Sequence, residues 1–294
     1  MAQETAATAS TELFEAHRGL LAAMAYQLLG STAEAEDVVQ ETWLRWNKAD
    51  HTGIASPRAW LVRVATRVAL DRLRRAKARR EDYVGPWLPE PLLTSPDVAE
   101  DAELAESVSM AMLVVLETLS PLERAVFVLR EAFGFSHGEI AEALGRAEPT
   151  VRQLAHRARE HVQARRPRFR PDRGVRREVT ERFLAASLGG DLDALLRVLA
   201  PDVTLWADGG GKATAPRRLI RGASKVARFL VGAVAKDPAA FAFHMVDVNG
   251  GPAAAVTSAG SLVGVFVVDV DAASDRAQTI YLLANPDKLT KLAR

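Results

Sequence analysis

A chain of 294 residues, 48% hydrophobic and 26% charged, has room for two or three compact units and is not disordered by composition. The absence of cysteine excludes disulfides, thiol catalysis and thiolate zinc sites, and gives no sign of an oxidising compartment. The formal net charge of +1 conceals strong segmentation: Arg67 to Arg80 carries seven basic residues against Asp71, whereas Glu81 to Ser107 carries eight acids and no Lys or Arg.

The opening MAQETAATAS, residues 1–11 with the following Thr11, reads as a frayed tail rather than a signal peptide. Apolar residues then recur at Leu13, Leu20, Leu21, Met24 and Leu28, and stop at Gly30, which predicts one amphipathic helix. Ser31 and Thr32 can cap a second, with Val38, Val39, Thr42, Trp43 and Trp46 inward and Glu34, Asp37, Glu41 and Arg45 on another face. Ser56-Pro57 starts a third, with Leu61, Val64 and Val68 as its stripe and arginines gathering after Leu70. These elements define an expected unit at 12–82.

The text changes at VGPWLPEPLLTSPD, whose four prolines exclude a helix or sheet interior; 83–106 reads as an acidic linker. Helical periodicity resumes at 107 and runs to 166. Within it, FSHGEIAEALGRAEPTVRQLAHRAREHV is the sharpest local signal. Ser136 caps one helix, Gly145 ends it in a tight turn, and Pro149 suits the first turn of the next. Packing through Ile140, Ala141, Leu144, Val151 and Leu154 leaves Thr150, Arg152, Gln153, His156 and Arg157 outward. This is a helix-turn-helix whose second helix is rich in donors, suited to a DNA major groove. A second basic joint, 167–174, follows.

From Val175 to the end, two helices, a strand reaching Trp206, a glycine turn, a helix near Ser224 to Ala235 and four β-rich segments predict an α+β domain. Its helices are expected on one face of an antiparallel sheet. Val248 to Val268 is uncharged and long enough to span a bilayer, but its Asn249, Pro252 and glycines suit two strands and a turn. No membrane contact is expected, and the chain reads as cytoplasmic.

The helix-turn-helix resembles region four of extracytoplasmic-function sigma factors. AEAEDVVQETWLRW, Ala33 to Trp46, resembles the helix by which they bind the β′ clamp helices of RNA polymerase core. AWLVRVATRVALDRLRRAKARR, Ala59 to Arg80, resembles the helix that meets the minus-ten promoter element. The resemblance implies core contacts at Asp37, Glu41 and Trp43. It also implies minus-ten contacts at Arg67, Asp71, Arg72, Arg74 and Arg75, Arg67 standing where the family often has Asn, and minus-thirty-five contacts at Thr150, Arg152, Gln153, His156 and Arg157. A basic run beside the polar loop NKADHTG also suits phosphates and an unstacked base on physical grounds.

The last domain resembles SnoaL-like domains of the nuclear transport factor-like fold, which in some relatives hold a small molecule. The multidomain fold is therefore expected as two all-α sigma domains followed by this α+β domain. Three strings resemble signatures of a subgroup whose SnoaL-like extension modulates activity: Trp87, Leu88, Pro89, Glu90 and Pro91; Asp208, Gly209, Gly210, Gly211 and Lys212; Asn285, Pro286, Asp287, Lys288 and Leu289. DGGGK is not a phosphate loop, since Trp206 occupies the place of the first glycine and Ala213 follows the lysine. His244, Tyr281 and Trp206, with Asp208 as acid or base, are candidates to line a pocket. The histidines show no metal spacing, and no cofactor is implied. Two rivals remain beside a sigma factor: a SnoaL-type enzyme with a DNA-binding appendage, and a ligand-sensing repressor, which has no need of the Ala33 to Trp46 helix.

Overall fold

The computed structural model describes residues 2–94, 108–165, 171–235 and 241–292. They fall into two compact units, Met1–Glu81 with Val115–Arg165, and Asp82–Val114 with Arg166–Arg294.

The first unit is all helical. It holds α1 (Ala2–Leu29), α2 (Thr32–Lys48), a 3-10 turn (His51–Gly53) and α3 (Pro57–Glu81). After α4 (Met110–Glu117), which begins in the second unit, come α5 (Pro121–Phe127), a π turn (Val128–Ala132), α6 (His137–Leu144) and α7 (Glu148–Gln163). The capping chemistry matches the sequence. Gly30 closes α1 at φ 67° and the Ser31 hydroxyl accepts the Glu34 N–H. Ser120 with Glu123 and Ser136 with Glu139 form reciprocal capping boxes. In the second box, hydrogen bonds from Ser136 hold the Glu139 carboxyl below the usual carboxylate range. Leu21, Met24, Leu28, Val38 and Leu61 are fully buried, and the Trp46 ring stacks on His51 and meets Trp60 edge-on. Ile140, Val151, Leu154 and Ala158 join α6 to α7 around Gly145, whose φ of 62° suits glycine.

Next along the chain are α8 (Arg173–Leu188), α9 (Leu192–Val198), β1 (Leu199–Asp208), β2 (Ile220–Arg221) and α10 (Ala223–Val234). They are followed by β3 (Phe241–Val248), β4 (Gly251–Ser258), β5 (Ser261–Asp271), β6 (Arg276–Leu283) and the short α11 (Pro286–Leu289). All belong to the second unit. The six strands form one sheet ordered β2-β1-β6-β5-β4-β3. The sequence reading of a purely antiparallel sheet needs correction, because β1 and β6 run parallel, with Trp206 beside Tyr281. The short β2, the helix α10 and the three-strand meander β3 to β5 intervene between them, which is the long crossover that a parallel pair requires. Val248 to Val268 does form strand, turn and strand, and no described helix is long and apolar enough to cross a membrane.

Both faces of this sheet are covered. On one, Phe183, Leu184, Leu195, Val226 and Leu230 from α8, α9 and α10 pack on Leu205, Val268 and Ile280. On the other, Val248, Ala253, Val265, Tyr281 and Leu283 pack against Leu88, Met110, Ala111 and Leu289. The second cover therefore comes from the proline-bearing stretch, the start of α4 and the chain's last short helix. Each large apolar side chain buried there contributes roughly 1.5–3 kcal/mol. The remainder of the acidic stretch, 95–107, lies outside the described residues.

Candidate functional site

On α2, Asp37 is exposed, Glu41 and Trp43 are half-buried, and Trp43 rests on the Phe14 ring 4.9 Å away. Arg72 of α3 donates to Asp37 at 2.9 Å and lies 3.6 Å from Glu41, which also holds Arg45 at 2.6 Å. A side chain assigned from sequence to DNA thus neutralises two acids assigned to protein. Leu44, on the same helix, was not singled out from sequence; an apolar residue one position from the inward Trp43 gives no periodic warning, yet it is 56% exposed.

Along α3, Asp71, Arg74 and Arg75 are exposed, with Asp71 and Arg74 paired at 2.9 Å. Arg67 is turned toward the helix-turn-helix: its Nε donates to the Ala143 carbonyl at 3.1 Å, and Arg63 lies 3.3 Å from Glu142. Deeper in the same unit, Glu117 pairs with both Arg80 and Arg124, and Arg124 donates to the Gln27 carbonyl from Nε and Nη2. On α7, Thr150, Arg152, Gln153, His156 and Arg157 are all exposed on one side of the helix, opposite Val151, Leu154 and Ala158. Arg152 is steadied by Glu148 at 2.6 Å and Arg157 lies 3.5 Å from Glu123.

The three signature strings meet inside the second unit. Asp208, at the end of β1, is fully buried, and its carboxylate accepts from Tyr83 Oη at 2.6 Å, Leu88 N at 2.8 Å, Gly210 N at 3.1 Å and Lys288 Nζ at 2.7 Å. Lys288 also donates to the Leu88 carbonyl and lies 4.1 Å over the Trp87 ring. Outside this core, Lys212 pairs with Asp287 at 2.5 Å between exposed side chains. The glycines fit by close approach: a Cβ on Gly210 would overlap the Asn285 amide. Pro89, Pro91 and Leu289 are buried, Glu90 half-buried and Pro286 exposed. Tyr83, missed from sequence, has its hydroxyl pKa pushed up by burial and by the Asp208 carboxylate, so it stays a donor.

The pocket expected from His244, Tyr281, Trp206 and Asp208 does not assemble. His244 is exposed on edge strand β3, four strand spacings from β1, or about 19 Å. Asp208 is committed to its four donors. No cluster of three or more metal-ligating side chains occurs among the described residues.

Comparison with known proteins bears on the helical unit first: Sigma-70 region 2 matches residues 13–79 and Sigma-70 region 4 matches residues 109–162. The ECF RNA polymerase sigma factor SigJ of Mycobacterium tuberculosis is 41% identical over 290 residues, covering 94% of this chain and 92% of that protein. The chain belongs to the ECF RNA polymerase sigma factors. Probable ECF sigma factor SigI of the same species is 39% identical over 193 residues, 65% of this chain and 67% of its own. The crystal structure of M. tuberculosis SigJ superposes with a TM-score of 0.73 at 38% identity, covering 95% of this chain and 98% of that one. The chain is accordingly two sigma-type helical regions followed by a mixed-sheet α+β domain.

Proposed function

We propose that this sigma factor binds RNA polymerase core through α2, meets the minus-ten element through α3 and reads the minus-thirty-five element through α7, without chemistry of its own. The observation that carries the reading is the row of exposed donors on α7, within the segment that matches region 4. Such donors suit base edges in a major groove, and Arg pairs bidentately with guanine. Replacing a base-reading residue by alanine is expected to cost about 1–3 kcal/mol and relax preference at one promoter position, while a phosphate contact weakens all sequences alike. Binding-site selection with the Arg152, Gln153, His156 and Arg157 variants tests it; unaltered preference in all four places the reading face elsewhere.

The partner of α2 is the clamp-helix region of the β′ subunit, met by Asp37, Glu41 and Trp43 with Leu44 as an apolar anchor. Reversing both charges, Asp37→Lys with Glu41→Lys, is expected to weaken core association tenfold or more, about 1.4 kcal/mol, with helical content unchanged. Affinity equal to wild type in a titration of purified core removes this assignment.

The SnoaL-like domain acts as a fused regulator through the three strings gathered at Asp208, and the chain works where the polymerase is, in the cytoplasm. The engagement of Asp208 by four donors favours this over an enzyme that needs a free acid or base there. Run-off transcription with core polymerase, comparing the full chain with variants at Asp208, is the direct test. Failure of the chain to bind core at all favours a ligand-sensing repressor.

A further inference from the structure

We propose that Asn249 is a positioning residue that clips both ends of the acidic stretch onto one hairpin turn, and so limits how far the two promoter-reading regions part. The inference rests on the sigma factor reading and deepens it at a residue outside the three signature strings.

Asn249 and Gly250 form the two-residue turn between β3 and β4, both at positive φ, 54° and 70°. A primed turn of this kind accepts asparagine readily. The side chain is 2% exposed. Its Oδ1 accepts the Leu92 N–H at 3.2 Å, and its Nδ2 donates to the Val108 carbonyl at 2.9 Å. Main-chain bonds reinforce the first arm: Asn249 N to Leu92 O at 2.8 Å and Thr94 N to Asp247 O at 3.1 Å. One amide thus holds two chain positions that lie on either side of residues 95–107.

The consequence concerns reach. Asp82–Val114 is the whole connection between the two parts of the helical unit, and fully extended it spans roughly 110 Å at 3.3–3.6 Å per residue. Bringing Leu92 and Val108 to one side chain withdraws about 55 Å of that on the same scale. Promoter elements centred about 25 base pairs apart are separated by roughly 85 Å along the duplex. In the structure, α3 instead packs on α6, with Arg67 Nε 3.1 Å from the Ala143 carbonyl. A closed clip favours that packed arrangement; an open clip returns the reach needed to read both elements at once.

The chemistry of asparagine supplies the test in the full-length chain. Asn249→Gly keeps the positive-φ turn and removes both side-chain bonds. Asn249→Asp keeps the acceptor for Leu92 but loses the donor to Val108. Because the chain has no cysteine, spin labels at Asn47→Cys on α2 and Gln163→Cys on α7 report their separation directly. The expected result for Asn249→Gly is faster amide exchange at both 88–94 and 108–114 and a wider label separation. Run-off transcription at limiting sigma should also rise roughly fivefold or more, the scale of an ordinary coupling energy. Asn249→Asp should free the Val108 arm selectively. Unchanged label separation and exchange in Asn249→Gly overturn the clip, and these two readouts need no polymerase. A wild-type chain that fails to bind core overturns the sigma factor assignment of the promoter elements, whereas wild-type transcription with unaltered variants overturns the clip alone.

Discussion

Replacing Glu117 by glutamine is expected to loosen the helical unit by about 3–5 kcal/mol, the usual consequence of removing one partner from a buried ion cluster. Glu117 is the shared counter-ion of two arginines. Arg124 is 1% exposed and Arg80 is largely buried, its pKa pulled down by burial and held up mainly by Glu117. Guanidinium groups do not shed their protons in proteins, so neutralising Glu117 leaves two facing positive charges with little water to screen them. The carbonyls of Gln27 and Leu29 still accept from Arg124 and Arg80, which keeps the penalty from growing further. A second change, Arg80→Met in the Glu117→Gln background, should recover part of the loss by removing one of the two charges. The two effects share partners and will not add. Denaturant unfolding of the three variants is the measurement; a Glu117→Gln midpoint equal to wild type means that the cluster is hydrated in solution. The cluster also links residues of the region 2 match, Gln27 and the neighbouring Arg80, to residues of the region 4 match, Glu117 and Arg124. Its loss should therefore weaken the packing of α3 on α6 and raise the accessibility of Arg67.

Much of this was legible because local chemistry and tertiary packing agree. Ser31, Ser136, Gly30 and Gly145 each dictate a helix end by satisfying backbone groups or tolerating positive φ, and none depends on distant residues. The exposed face of α7 followed from the same periodicity. What sequence could not supply is which distant segments meet. The parallel pairing of β1 with β6 depends on where the chain returns after a crossover, and no alternation pattern distinguishes it from an antiparallel neighbour. The proline-rich stretch looked like a spacer because its prolines forbid regular structure, yet Leu88 and its neighbours bury apolar surface without needing any. Arg72 shows the same limit: its charge was evident, but its pairing with Asp37 and Glu41 exists only once α2 and α3 lie together. Asn249 carried no charge and sat in a turn, so nothing marked it before the chain on both sides of residues 95–107 was found on its amide.

Substitution at the buried pair in the second unit should be asymmetric, with Asp208→Ala costing about 3–5 kcal/mol and Lys288→Met only about 1.5–3 kcal/mol, the range for a bond to a charged group. The difference follows from what each change strands. Without Asp208, the Leu88 N–H loses its acceptor, Tyr83 Oη loses one partner, and the Lys288 ammonium remains 8% exposed with the Leu88 carbonyl and two aromatic rings. Without Lys288, the carboxylate still accepts from Tyr83, Leu88 and Gly210, so its charge stays solvated by protein donors. The double variant should lose less than the two singles combined, because the second change removes the charge that the first had left unpaired. Amide exchange at β1 and at residues 86–92 measures these losses within the unit that contains them. Since Leu88 is held from both sides by this pair, Asp208→Ala should also release the proline-bearing stretch and shift run-off transcription. Lys212→Ala, which breaks only an exposed pair with Asp287, should leave exchange near wild type. If Asp208→Ala and Lys212→Ala behave alike in both assays, the buried pair is not what fastens the three strings together, and the regulatory reading of this site fails with it.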